Sequence, residues 1–461
     1  MNKLLHLFIL LTFLGSCQID STDQDLPQKE ENKKFPNEWF YAQRAFPRGE
    51  IDKAAYQNAL QFRQQMQSNL RGPIKLEEWK FEGPTNIGGR ITDVEMPINS
   101  FEKIYIASAS GGIFKSEDTG GSWTPIFDDA LSLSIGDMEL APSNNDIIYV
   151  GTGEPNAGGG SLAYDGVGIY KTSNGGNNWQ HLGLENIGSV GKIEVAPTNP
   201  DIAFVAAMGD LFGKNPERGV FRTINGGTDW EQVLFISDST GFVDLAMHPT
   251  NSNIIYAAAW ERIRRPNYRR YSGASSGIYR SIDGGDNWEL LSNGLPSLPD
   301  EKGRIGLAIS PSDPNYVYAY IVHENGDLTG IFQSKNGGDS WNEINTNGIV
   351  QPAFMWWFGK MYVHPESPKS LIVLSLKVHY IDDVETDPVW ETRFEFAHVD
   401  QHSIFIHPQN PNLFLAGNDG GIYFSKTEAD GTETASSRNN NLNTSQIYTL
   451  GVAPSEMFKE K

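Results

Sequence analysis

Ser116-Glu-Asp118-Thr-Gly120-Gly-Ser-Trp123 is the first of five copies of one pattern, S/T-x-D/N-x-G-x-x-W, which returns at Thr172 to Trp179, Thr223 to Trp230, Ser281 to Trp288 and Ser334 to Trp341. Self-similarity at a spacing of roughly 50 residues marks a stacked or radial repeat, because one supersecondary unit buries its apolar face only against a neighbour. A segment of the form Gly-Ile/Val-aromatic-x-Ser/Thr runs into each box, from Gly112, Gly168, Gly219, Gly277 and Gly330, and a sixth such segment starts at Gly421. Each reads as a short strand entering a tight turn.

Upstream of these strands lies a second punctuation mark, an X-Pro dipeptide followed by Asn, Asp or Ser: Pro142, Pro197, Pro249, Pro311, Pro365 and Pro408, with Pro97 and Pro454 at the ends. Proline there closes one strand and opens a turn. The runs that follow, such as Ile147-Ile-Tyr-Val150 and Ile254-Ile-Tyr-Ala257, are continuously apolar and too short for helices; they read as strands buried on both faces. Each unit thus supplies four antiparallel strands, which is a propeller blade. The eight X-Pro turns enclose seven intervals of about 51 residues each, so the expected fold is an all-β propeller of about seven four-stranded blades over residues 79–461. The sixth unit has no box, with Asp387-Pro-Val-Trp390 in its place. Gln446 to Pro454 repeats the opening strand and turn of a blade, so the last blade is expected to be incomplete or the chain truncated.

The box has local chemistry of its own. Asp118, Asn174, Asn225, Asp283 and Asn336 occupy the third position, where a side-chain oxygen folds back onto turn amides; the interchange of Asp and Asn asks for an acceptor, not a charge. The glycine at the fifth position takes a positive φ. Trp123, Trp179, Trp230, Trp288 and Trp341 cover the hairpin end with a large apolar face. These residues are read as structural.

With these boxes the chain resembles the BNR or Asp-box repeat β-propellers, which include sortilin-type receptor domains, xyloglucanase-type glycoside hydrolases and sialidases. Gly83-Pro84-x-Asn86-Ile-Gly-Gly-Arg90, Gly151-Thr-Gly-Glu154-Pro155, Arg218-Gly219 and Gly417-Asn-Asp-Gly-Gly421 look more closely like exported bacterial proteins labelled sortilin-like or glycosyl-hydrolase-like. The resemblance implies a fold more strongly than an activity, since one propeller serves both enzymes and binding proteins.

The N-terminus adds a location. Lys3, an apolar core from Leu4 to Leu14 and the sequence Leu14-Gly15-Ser16-Cys17 read as a signal peptide over 1–16 with a resemblance to the bacterial lipobox. Cleavage before Cys17 and its acylation would tie the chain to a membrane. Cys17 is the only cysteine, so no intrachain disulfide forms. Residues 17–36 form an acidic, flexible tether, whose Asp20, Asp23 and Asp25 resemble surface-export signals of the Bacteroidetes type; the expected place is the outer membrane or cell surface. Residues 37–75 carry a helical pattern that braces the propeller or spaces it from the tether.

A formal charge of −21 excludes nucleic acid as the natural partner. In a propeller, the loops after the second strands and the entries to the first strands emerge on one face around the axis, which makes that rim the binding-site expectation. The entries contribute Arg90, Asp137, Lys192, Arg304, His398, Asp400 and His402; the loops contribute Glu154, Asp210, Trp260, Arg262, Arg264, His379 and Asp419. His398-Val-Asp400-Gln-His402 has alternate spacing on one strand face, yet spacing supplies no fourth ligand, so neither a metal nor a cofactor is expected. The preferred reading is a lipid-anchored module that binds an extracellular peptide, protein or glycan without chemistry. The alternative, implied by the xyloglucanase resemblance, is a polysaccharide hydrolase with Asp419 as its acid. Against it, blade one carries Ser110 where the resembling enzymes place an aspartate.

Overall fold

Seven four-stranded antiparallel sheets wheel about one axis in the computed structural model, each built from consecutive strands except the fourth, where the hairpin Ile263–Arg265/Tyr268–Arg270 is inserted between the second and third strands. The structure describes residues 38–50, 52–69, 85–156, 165–265, 268–427 and 433–444. The first strands of the blades line the axis: Ile91–Glu95, Ile135–Leu140, Ser189–Val195, Thr240–Met247, Ile305–Ile309, Met361–Val363 and Gln401–Ile406. The strand Gln401–Ile406 lies against Ile91–Glu95, which closes the ring. Blade seven is complete at Glu433–Ser437. The segment Gln446 to Pro454 lies outside the described residues, as do Cys17, the signal peptide and the tether.

The second strands are buried along their whole length, as their unbroken apolar runs require: Ile148–Thr152, Ala203–Gly209 and Ile255–Glu261 have no exposed position. Tyrosines on these strands reach over the box or Pro turn of the next blade. Tyr105 donates to the Gly175 carbonyl, Tyr149 to Pro200, Tyr256 to Gly337 and Tyr318 to Pro368.

Near the axis, the blades are joined by aspartates of the first strands. The Met138 amide donates to Asp93, the Ile193 amide to Asp137 and the Leu307 amide to Asp244, each from the following blade. A β-bulge immediately precedes each of these aspartates, with Thr92, Gly136 and Val243 as the residues left unpaired. Glycine allows the approach: a Cβ on Gly136 would stand 2.1 Å from the Val190 carbonyl of the next blade. Asp137 and Lys192, placed on the loop rim by the sequence reading, lie instead inside the ring, with Lys192 Nζ 3.4 Å from Asp137. Below them, toward the Pro turns, the channel widens into a cavity of about 420 Å³ lined by Glu95, Glu139, Glu194, Lys192 and Lys360.

All five boxes form the same corner. The first-position hydroxyl donates to the Asp or Asn Oδ1, from 2.8 Å in Ser116 to 3.0 Å in Thr223, and accepts the fifth-position amide. The same Oδ1 accepts the amide of the seventh residue in each box. Asp and Asn do one job through one oxygen, which explains their interchange. The fifth-position glycine has φ between 77° and 94° in every copy. The tryptophans do more than cover a hairpin end: Trp123 donates to the Arg438 carbonyl of blade seven, Trp179 to Ile126 of blade one and Trp230 to Leu182 of blade two. In the boxless sixth blade, Trp390 still donates backward, to Asn345, while Asp387 accepts the Asp383 amide and rebuilds the corner.

Helices Glu38–Ala45 and Lys53–Asn69 precede the ring. Leu60 packs on the core between blades one and two, and Gln57 donates to the Glu185 carbonyl. No helix among the described residues is long and apolar enough to cross a membrane.

Three variants test the corner. Ser334→Ala removes a buried hydroxyl and strands the Gly338 amide, and should lower the unfolding free energy in urea by about 1–3 kcal/mol. Thr119 holds φ 60° at the fourth position, where the other four boxes have glycine, so Thr119→Gly should raise stability by about 1 kcal/mol. Hydrogen bonds hold Asp118 (from the Ser116 hydroxyl first) and Asp283 (from the Asn287 amide first) down to about 2, against an ordinary 3.8. A carboxylate depressed on folding contributes stability that is full above its unfolded value and is lost as pH falls through its folded one. The double variant Asp118→Asn/Asp283→Asn should therefore show a flatter loss of melting temperature between pH 3.8 and pH 2 than the wild type.

Candidate functional site

On the loop face, where second strands end, the mouth of the channel brings four blades to one point. Arg90, at the entry to blade one, has its Nε 3.6 Å from Glu154 Oε1 of blade two and 3.7 Å from Asp419 Oδ1 of blade seven. Its guanidinium lies 4.8 Å from the ring of Trp357 at the entry to blade six. His402 Nε2 stands 2.8 Å from Asp419 Oδ1, and the His402 ring is held edge-on by Trp357 and nearly parallel to Phe358.

His402 reaches Asp419 because it is the extra residue of a bulge: Gln401 pairs with Asn418 and Ser403 with Gly417, so His402 leaves the alternation of its strand. The chain just before it is also irregular, with Asp400 at φ 66°. Regular two-residue alternation is therefore lost, and His398 does not share a strand face with His402. His398 is exposed, packs on Gly420 and has Nδ1 by the Val399 carbonyl, whereas His402 is buried. Among the described residues no group of three or more His, Cys, Asp or Glu side chains has the arrangement of a metal site.

Two carboxyls at this mouth have opposite environments. Burial raises Asp400 above the ordinary range, the negative charge of Asp419 adds to that, and the nearby histidines and Arg90 oppose it. Burial also pushes Asp419 up, but the His402 hydrogen bond, the His402 charge and Arg90 outweigh it and leave Asp419 below its ordinary value. Asp400 is half-buried and Asp419 keeps 29% of its side chain exposed, so both face the opening. The two are one residue apart in space, the Asp419 amide donating to the Asp400 carbonyl at 3.2 Å.

Four residues placed on the rim by sequence lie beneath it. Trp260 is fully buried and donates to the Tyr271 carbonyl; it belongs to the core between blades four and five. Arg262, Arg264 and Arg304 are also buried. Arg262 stacks at 4.2 Å on Trp260 and donates to the Pro155 carbonyl across the axis. Arg304 donates to the Asn156 side chain and to the Trp356 carbonyl. Arg262 and Arg304 are thus both tied to the segment Glu154-Pro155-Asn156 of blade two, which is itself buried. His379 is buried against Ser375, and Asp210 caps the Phe212 amide beside Arg218, so neither reaches the opening. Conversely, Trp356 and Trp357 lie half-buried on the short 3-10 turn Met355–Trp357 at the mouth, where Trp356 stacks on Tyr271 at 4.9 Å. Their pairing in sequence is the one signal for that platform, and such a pair in a blade reads more often as core.

No protein-family model matches the chain. It is similar to a probable oligoxyloglucan-reducing end-specific xyloglucanase of Neosartorya fischeri, 22% identical over 267 residues, covering 56% of this chain and 27% of that protein. It is also similar to a xyloglucanase of a Paenibacillus species, 26% identical over 211 residues, covering 43% of this chain and 18% of that one. The match thus spans less than a third of the length of either curated relative. Among solved structures, the GH74 xyloglucanase of Xanthomonas campestris superposes with a TM-score of 0.55 at 16% identity, over 78% of this chain and 55% of that one. An ancestral GH74 enzyme superposes with a TM-score of 0.57 at 19% identity, over 77% and 47%. These likenesses establish the propeller.

A raised carboxyl destabilises the folded state wherever it is ionised, that is, above its ordinary value, and the penalty disappears as pH falls below that value. Asp400→Asn, which keeps a side chain tolerant of positive φ, should accordingly raise the melting temperature at pH 7, with no gain at pH 3.

Proposed function

We propose that this chain is the glycan-engaging propeller of a xyloglucanase-type glycoside hydrolase, with its site at the loop-face mouth. The observation that carries the reading is the Asp400 and Asp419 pair, two carboxyls pushed apart in proton affinity beside an aromatic platform. Glycoside hydrolysis needs one carboxyl that holds a proton and one that has lost it. Asp400 would give its proton to the leaving glycosidic oxygen as the anomeric carbon–oxygen bond breaks. Asp419 would take a proton from the water that attacks the anomeric carbon. His402 and Arg90 keep Asp419 ionised, which suits it to the base role in place of the acid role that the sequence resemblance suggested. Trp356 and Trp357 offer ring faces for stacking of sugar units. The similarity to proteins named xyloglucanases supports a glycan substrate over a peptide.

A second reading, binding without turnover, is favoured by Ser110, which stands in blade one where the resembling enzymes place an aspartate. In either case the N-terminal Leu14-Gly15-Ser16-Cys17 supports an exported chain anchored through acylated Cys17. Release of reducing ends from xyloglucan and other β-glucans by the purified protein separates the readings. On the hydrolase reading, Asp419→Asn and Asp400→Asn each lower turnover by about 10²–10⁴-fold while retention on immobilised glycan persists. Retention of the wild type without any turnover establishes the binder instead, and turnover undiminished in both variants rejects the assigned carboxyls.

A further inference from the structure

At the other end of the channel from the carboxyl pair lies a cavity that the proposed reaction does not use. It measures about 420 Å³ and is bordered by the Pro turns at Pro142, Pro311, Pro365 and Pro408. That volume falls within the range of about 300–1,000 Å³ common to small-molecule sites. Its wall has two halves. Two residues beyond Asp93, Asp137 and Lys192, the first strands of blades one, two and three supply Glu95, Glu139 and Glu194, whereas blades four, five and seven supply Ala246, Ala308 and Ile404. The three glutamates are only half-buried, so the cavity is open to them.

The charges around this cavity are unbalanced. Its carboxyls are Asp93, Asp137 and Asp244 at the neck and the three glutamates below; the cations that act on them are Lys192, Lys360 and, on Asp244, Arg304. Most of these groups are already engaged. The Met138 amide and the Ser403 hydroxyl donate to Asp93, and the Leu307 amide to Asp244. Lys360 donates to the Thr92 carbonyl and acts on Asp93 and Asp137. Lys192 Nζ stands 3.4 Å from Asp137 and 3.3 Å from Glu139. Glu95 and Glu194, on either side of Glu139, must share that same ammonium, which is the one cation among the principal neighbours of each. Burial first, and then the surrounding carboxylates with Glu139 foremost, push both well above the usual carboxylate range against the pull of Lys192. Asp137 offers a further acceptor at the head of the cavity. It is fully buried, its Oδ2 takes the Ile193 amide, and its Oδ1 has no hydrogen-bond partner.

We infer that this cavity is a binding site for a small aliphatic diamine, with one ammonium at Glu95, the other at Glu194 and the methylene spacer against the apolar half of the wall. Ammonium groups donate charge-assisted hydrogen bonds to carboxylates, and the methylenes gain by leaving water. A monoamine would leave one of the two glutamates uncompensated, and a neutral polyol would leave both. A metal ion fits less well, because among the described residues no group of three or more His, Cys, Asp or Glu side chains is placed to hold one. The site is independent of the glycan reading, which concerns the opposite mouth.

The test is calorimetric titration of the full chain at fixed ionic strength and about pH 8, where aliphatic amines keep their charge. The ligands are 1,4-diaminobutane, butylamine, 1,4-butanediol, calcium chloride and a short peptide with a single lysine. The diamine should bind saturably with one molecule per chain, butylamine about tenfold more weakly, and the diol not at all. Glu95→Gln and Glu194→Gln should each weaken the diamine Kd by about tenfold. Glu194→Asp keeps the charge on a shorter arm and should recover part of the affinity, which separates loss of the site from loss of the fold. Asp419→Asn, at the opposite mouth, should leave the Kd unchanged. Equal affinity for butylamine, tighter binding of calcium or of the lysine peptide, no binding of the diamine, wild-type affinity in folded Glu95→Gln and Glu194→Gln proteins, or a loss in Asp419→Asn would each overturn the inference.

Discussion

The ring depends on one contact made repeatedly near its axis: a carboxylate on the first strand of one blade accepting a backbone amide from the first strand of the next. Stacked blades otherwise meet through apolar faces, which are slippery with respect to register. The amide bond fixes that register, because a carboxylate buried without it would lose several kcal/mol. Blade seven joins through the same group, as the Ser403 hydroxyl donates to Asp93. The circle is therefore closed by a hydrogen bond at its centre as well as by the Trp123 indole at its rim.

The same requirement generates the site. To aim these side chains at a neighbour, the first strands carry bulges, and each bulge displaces one residue out of the pleat. In blade seven the displaced residue is His402, which swings to Asp419. The histidine that depresses Asp419 is thus a by-product of the bulge geometry that seats the blades, and the opposition between Asp419 and Asp400 follows from it.

A buried layer lies below the mouth. Arg262 and Arg304 sit at strand ends near the loop face yet are buried, each hydrogen-bonded to the buried segment Glu154-Pro155-Asn156 of blade two. What remains open at the surface is an off-axis patch made of Asp400, Asp419, His398, the edge of Arg90 and the Trp356-Trp357 turn.

The sequence by itself determined the propeller, the four-stranded blades, their number to within one and the chemistry of the corners, because repeat spacing counts the units and each corner is written in contacts within about ten residues: a hydroxyl, an acceptor and a glycine in one turn, a tryptophan at its end. It also marked Arg90, Glu154, His402 and Asp419 as one group, since the topology sends the ends of alternate strands to one face. Which of the rim residues stay at the surface was decided only by the tertiary structure. Trp260, Arg262, Arg264 and Arg304 read as rim residues one blade at a time, and packing between blades buries them: Trp260 joins the core between blades four and five, and Arg262 and Arg304 are tied to a segment of blade two. The alternation of His398, Asp400 and His402 was equally legible and equally misleading, because a bulge and a positive φ are set by the seating of the neighbouring blade, and no pattern in a single strand records that.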